Sequence, residues 1–169
     1  MGIMSAQLPE VKSRAPHFDS LEQEAFLNLW RTYDRLHVIE EELFSRFELT
    51  PQQYNALRLL RGQGEQKLAT LALAARLVSR APDITRLLDK LEDRGLIERE
   101  RPADNRRVVL IGLTDRGREM LSTLDEEVRA CHARQLGHLS SEQLAQFVAL
   151  LKLAREPHED TGSHWMPAV

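Results

Sequence analysis

Basic side chains at helical spacing are the first chemistry this chain offers. In Arg80–Arg99, "RAPDITRLLDKLEDRGLIER", Ile84, Leu87, Leu88 and Leu91 fall at i, i+3, i+4 and i+7, the apolar stripe of one helix. The opposite face carries Pro82, Thr85, Arg86, Asp89, Lys90 and Asp93. Arg86 sits about one turn in from the helix start, where an Arg can donate two parallel hydrogen bonds to guanine O6 and N7. Thr85 can bond a base edge or a phosphate and set its methyl against a thymine methyl. The helix N-terminus favours phosphate, with Ser79 as the expected cap and Pro82 tolerated in the first turn. Arg80 and Lys90 suit phosphate better than bases. Asp83 and Asp89 each lie three residues from Arg86 and are expected to hold its guanidinium in position. Asp83 can also accept from cytosine N4. Arg94, Arg99 and Arg101 read as solvated.

These groups need a scaffold, and the flanking periodicity predicts a mainly α fold with a small β-hairpin. Phe26, Leu29, Trp30, Tyr33, Leu36, Leu43, Phe44 and Phe47 recur at mostly helical steps from about Ser20 to Phe47. A helix that long needs a second surface for its stripe. Thr50 and Pro51 cap and open a second helix, which Gly62 and Gly64 end. "LATLALAARL" is a short third helix behind a brief extended segment at Leu68. The basic helix is the fourth, and Gly95 supplies its left-handed stop. The period then changes. Leu96, Ile97 and Glu98 lead into a hairpin, "RPADN" turns it, and Val108, Val109, Leu110 and Ile111 lead out. Arg106 and Arg107 sit at its tip, able to enter a narrow minor groove. Thr114 caps a fifth helix with the stripe Met120, Leu121, Leu124, Val128 and Cys131, broken at Gly137. Ser140 and Gln143 form a capping box on a sixth, whose apolar share is high for a surface helix. Residues 1–18 read as a flexible arm and 155–169 as a disordered or weakly docked tail.

The totals permit this reading. The chain has 169 residues and a formal net charge of −3, which by itself argues against a polyanionic partner. Yet residues 76–107 hold nine Lys/Arg against seven Asp/Glu, so the excess of acid lies elsewhere. No apolar run approaches the ~18 residues of a membrane span, and the N-terminus lacks signal-peptide order, so a cytoplasmic protein is expected. A single cysteine, Cys131, leaves no intrachain disulfide. No Gly-rich phosphate loop, nucleophile arrangement or ligand cluster points to an enzyme, and no cofactor is expected.

Helix, helix, hairpin is the order of a winged helix-turn-helix. With "LAARL" (Leu73–Leu77), "ITRLLDKLEDRGLIERER" (Ile84–Arg101) and "DNRRVVLIGLTDRG" (Asp104–Gly117), the chain resembles a MarR-family transcriptional regulator over about residues 25 to 154. Three places depart from the family pattern. Asn105 stands where Asp often precedes the paired wing arginines, the acidic residue coming one earlier as Asp104. The recognition helix opens with Arg80-Ala81-Pro82 rather than Ser/Thr. The third helix opens at Ala69-Thr70 without a strong cap.

The resemblance implies a winged helix-turn-helix region over 50–113 and a helical dimerisation region over 19–49 and 114–154. It implies a homodimer joined by the first, fifth and sixth helices on a pseudo-palindromic operator in double-stranded DNA, with half-sites one turn apart, ~34 Å. The implied DNA-contacting residues are Ser79, Arg80, Pro82, Asp83, Thr85, Arg86, Lys90, Asp104, Arg106 and Arg107. Many members are repressors released by phenolic or other aromatic acids; others sense oxidants or metals. Trp30, Tyr33 and His37, spaced by three and four, are candidates for lining such an effector crevice, the alternative being core or dimer seam. Cys131 falls on an apolar stripe, where a free cysteine is usually a small buried hydrophobe. The six histidines (His17, His37, His132, His138, His158 and His164) show no tight ligand spacing. The competing class is a winged-helix module whose arginines bind an acidic protein partner.

Overall fold

A computed structural model describes residues 18–79 and 83–159. The elements run α1 (Leu21–Ser45), α2 (Pro51–Arg61), β1 (Leu68–Ala69), α3 (Thr70–Arg76), α4 (Ile84–Asp93), β2 (Ile97–Glu100), β3 (Leu110–Leu113), α5 (Asp115–Leu136) and α6 (Ser141–Arg155), then a 3-10 turn at Glu156–His158. The expected tail therefore begins as ordered helix. The chain divides into two compact units, residues 1–35 and 36–169. Of the first unit, the described residues are 18–35, the approach to α1 and its opening. Ser20 Oγ accepts from the Gln23 N–H, and Gln23 Oε1 accepts from the Asp19 N–H, at 3.2 and 2.8 Å. Leu21, Phe26, Trp30 and Tyr33 are exposed along this stretch.

The second unit is built on a leucine-rich core. Leu57 and Leu60 of α2, Leu73 of α3, Leu88 and Leu91 of α4, Ile111 of β3 and Leu121 and Leu124 of α5 are all fully buried. Truncating one such leucine to alanine costs roughly 2–5 kcal/mol. The local signals act where the sequence places them. Thr50 and Gln53 cap α2 reciprocally with Pro51 at its first position, and Ser140 and Gln143 do the same for α6. Gly95, at φ +68°, takes the left-handed turn that ends α4.

The three strands form an antiparallel sheet in the order β1-β3-β2. Ile97 pairs with Leu113 and Glu100 with Leu110, so the ladder stops before the expected Val108 and Val109. On its β1 edge β3 stays bonded one residue further. The Val109 carbonyl accepts from the Thr70 N–H and hydroxyl at the start of α3, at 3.1 and 3.2 Å. On the other strand Pro102 has no N–H to donate.

Thr114 ties the sheet to α5. Its hydroxyl donates to the Gly95 carbonyl at 2.7 Å and accepts from the Gly117 N–H at 3.1 Å. A Cβ on Gly117 would lie 2.3 Å from the Leu96 carbonyl oxygen and 2.7 Å from Leu113 Cδ1, so only glycine lets the first turn of α5 approach this closely. No residue of α6 is buried, and Val148, Leu150 and Leu153 are exposed on it.

Candidate nucleic-acid interface

Two α2 side chains position the approach to α4. Asn55 Oδ1 accepts from the Val78 N–H at 3.0 Å, and Gln52 Nε2 donates to Ser79 Oγ at 3.2 Å. Ser79 is thus held against α2 and is not the α4 cap. That cap is Asp83, whose Oδ1 accepts from the Arg86 N–H at 2.9 Å. The carboxylate needs to precede the first helical residue, Ile84, by one position, and Ser79 lies too far upstream. Arg80 and Pro82 lie outside the described residues.

Leu87, Leu88 and Leu91 bury one face of α4 and leave Thr85, Arg86 and Lys90 exposed on the other. Among the described residues the side chains of Arg86 and Lys90 make no ion pair. The nearby carboxylates depart from expectation. Asp83 holds the Arg86 backbone rather than its guanidinium, and it occupies the positive helix end that the sequence offers to a phosphate. Asp89 accepts from Arg99 Nη1 at 2.6 Å, and Glu92 accepts from the same nitrogen at 2.9 Å. Arg99 Nη2 also donates to the Thr85 carbonyl at 3.3 Å. Arg99 is therefore a clamp from β2 onto α4, not a solvated residue. Its signal was the strand period: it lies two residues after Ile97, on the face that β2 turns toward the core. Arg94 is likewise engaged. It donates to the carbonyls of Phe47 and Glu48, fixing the turn between α1 and α2 where Glu48 has φ 54°.

The wing tip is built from two consecutive turns. The Asn105 N–H donates to the Pro102 carbonyl at 3.2 Å, and the Val108 N–H to the Asn105 carbonyl at 3.1 Å. Arg106 and Arg107 are the two central residues of the second turn and are exposed. Asn105 Oδ1 accepts from the Arg107 N–H at 3.3 Å, an Asx-type turn that needs a side-chain oxygen but no charge. This accounts for Asn where Asp is common. Asp104 is exposed and braces neither wing arginine. Thr85, Arg99, Arg101 and Arg107 border a cleft of about 610 Å³ between α4 and the wing, floored by Leu88 and Val109.

Trp30 and Tyr33 are about 60% exposed on α1 (62% and 59%). His37 lies half-buried with Glu40 and Glu41 at 3.8 and 3.3 Å. A second cleft, about 450 Å³, opens between α2 and α5 and is lined by Tyr54, Arg58, Arg61, Asp125, Val128 and Arg129. Burial pushes the Tyr54 phenol up from its ordinary value, and its ring stacks on Phe44 at 4.5 Å. The sequence reading missed Arg58 and Arg129, whose convergence joins two helices far apart in the chain.

Residues 49–109 match the MarR family. The uncharacterized HTH-type transcriptional regulator YkoM of Bacillus subtilis (strain 168) is 32% identical over 143 residues, spanning 81% of this chain and 90% of the relative. The chain belongs to the MarR family. The solved MarR transcription factor from Planctomyces limnophilus is 57% identical, with a TM-score of 0.65 over 81% of this chain and 99% of that one. BpsR of Bordetella bronchiseptica, whose DNA binding is regulated by 6-hydroxynicotinic acid, shares the fold at 22% identity, with a TM-score of 0.68 over 80% and 99% of the two chains. This MarR-family protein is thus a DNA-binding transcriptional regulator and not an enzyme. The stretch that matches the family takes in α2, β1, α3, α4 and β2. No described helix is long and apolar enough to cross a membrane.

Proposed function

We propose that two copies of this chain bind a pseudo-palindromic operator in double-stranded DNA and repress the adjacent gene until a small aromatic acid releases them. One observation carries the reading: Arg86 stands exposed on α4, opposite a buried leucine face, with no ion pair to its guanidinium among the described residues. Arg86 reads a guanine, Thr85 meets the neighbouring base or phosphate, and Lys90 contacts phosphate. One of Arg106 and Arg107 enters the minor groove. Ser79, Arg80, Pro82, Asp83 and Asp104 border the contact. The helical region, residues 19–49 and 114–154, joins the two copies. Val148, Leu150 and Leu153, exposed on α6, support this because a monomer leaves them in water. The regulator works in the cytoplasm, where its DNA is.

For the effector, the α2–α5 cleft offers Arg58 and Arg129 to a carboxylate and Tyr54 to a ring. Trp30, Tyr33 and His37 are the alternative aromatic lining. BpsR, with its hydroxynicotinic acid, supports an aromatic acid as the class. A tenfold change in operator occupancy needs only ~1.4 kcal/mol of ligand preference for the released state.

The test is fluorescence anisotropy on DNA from upstream of the protein's own gene, across a salt series, beside scrambled DNA and Arg86→Ala. The proposal expects tight binding that falls steeply with salt, vanishes on scrambled DNA and is lost in Arg86→Ala. Equal binding to both duplexes, unchanged in Arg86→Ala, overturns the base-reading role.

A further inference from the structure

The recognition helix carries an internal competitor for its own reading residue. Asp89 follows Arg86 by three positions, a spacing at which opposite charges on a helix pair. An Arg86 held by Asp89 has its guanidinium fork occupied. The fork must be open to reach guanine O6 and N7 together. Yet Asp89 is taken, by Arg99 Nη1 at 2.6 Å, and Glu92 is held by the same nitrogen at 2.9 Å. Arg99 is itself fixed. It comes from β2, its side chain is only 24% exposed, and its second nitrogen donates to the Thr85 carbonyl at 3.3 Å. The other carboxylate near Arg86, Asp83, is occupied by the Arg86 backbone N–H.

We infer that Arg99 is a positioning residue for DNA reading: by holding Asp89 it keeps the Arg86 guanidinium free for a base. The inference rests on the reading of Arg86 as a base contact. Its consequence is that specificity depends on a residue that touches no DNA. It depends on that residue through one identified carboxylate.

The experiment measures the ratio of operator to scrambled-DNA affinity for the full-length chain in five forms: wild type, Arg86→Ala, Arg99→Gln, Asp89→Asn and Arg99→Gln/Asp89→Asn. Thermal unfolding of each is run alongside. Arg99→Gln is expected to lower the ratio about tenfold, toward the low end of what a bidentate Arg–guanine contact provides. The double variant is expected to return it to within about threefold of wild type, because the competitor is gone. A mere loss of packing at Arg99 would not be rescued by removing a second charge. Asp89→Asn alone is expected to keep the ratio, and it carries the test should Arg99→Gln fail to fold. An unchanged ratio in folded Arg99→Gln, a loss that Asp89→Asn does not rescue, or an equal loss in Asp89→Asn alone overturns the inference. An unchanged ratio in Arg86→Ala is a separate result: it overturns the base-reading role beneath.

Discussion

Arg61 of α2 meets Asp125 of α5 through two parallel hydrogen bonds, Nη1 to Oδ2 at 3.0 Å and Nη2 to Oδ1 at 2.8 Å. This fork joins α2, inside the stretch that matches the MarR family, to α5, beyond it. The bond to Asp125 raises the Arg61 pKa further above its already high value, so the guanidinium stays charged. Both side chains are more than a third exposed, 35% and 41%, and solvent screening keeps the pair modest. Asp125→Ala is expected to cost about 1 kcal/mol in urea unfolding with an unchanged slope. A loss above about 3 kcal/mol would show a pair far better shielded than its exposure indicates.

Gly117→Ala is expected to be among the most disruptive single-methyl changes in the chain. The added carbon falls 2.3 Å from a backbone carbonyl oxygen, which cannot swing aside as a flexible side chain can. Overpacking of this kind costs about 1–3 kcal/mol. Chemical denaturation checks it, and a variant as stable as wild type would mean that the start of α5 shifts freely.

At Asp83 charge and capping can be separated. Asn caps a helix about as well as Asp, whereas Ala loses about 1 kcal/mol. Asp83→Asn should therefore keep stability while removing a negative charge from the end of α4, and DNA affinity should rise, most clearly at low salt. Asp83→Ala should lose stability. Anisotropy and thermal unfolding run on both variants decide it; weaker DNA binding by Asp83→Asn would assign the carboxylate a direct role in base recognition.

Burial pushes the Cys131 thiol up from its ordinary value, with Glu40 adding to the shift. The sign follows from proton counts. Above the ordinary thiol pKa the unfolded chain loses this proton while the folded chain keeps it. The cysteine's contribution to stability is therefore intact at neutral pH and declines as the pH rises beyond ~8.5. Alkylation by iodoacetamide at pH 8 should be slow in the native protein and fast in denaturant. A native rate equal to the denatured one would refute the shielding.

Most of the elements were legible because their signals are local. The α4 stripe, the caps at Thr50, Thr114 and Ser140, and the glycine stop at position 95 each depend on residues within one or two turns. What escaped was nonlocal. Arg94 binds carbonyls more than forty residues earlier in the chain, and Arg99 reaches back across a strand to α4. Both looked solvated because a sequence shows charge without showing its partner. The α4 cap was misplaced for a local reason: Ser79 and Asp83 are both good caps, and only the fold assigns Ser79 to α2. The turn that presents Arg106 and Arg107 uses Asn105 rather than an acidic brace.

The Thr114 hydroxyl touches both the Gly95 carbonyl, just past the end of α4, and the Gly117 N–H in the first turn of α5. That single oxygen is a mechanical joint. The start of α5 and the turn that follows α4 therefore share one hinge point, while the other end of α4 lies nearly three turns away.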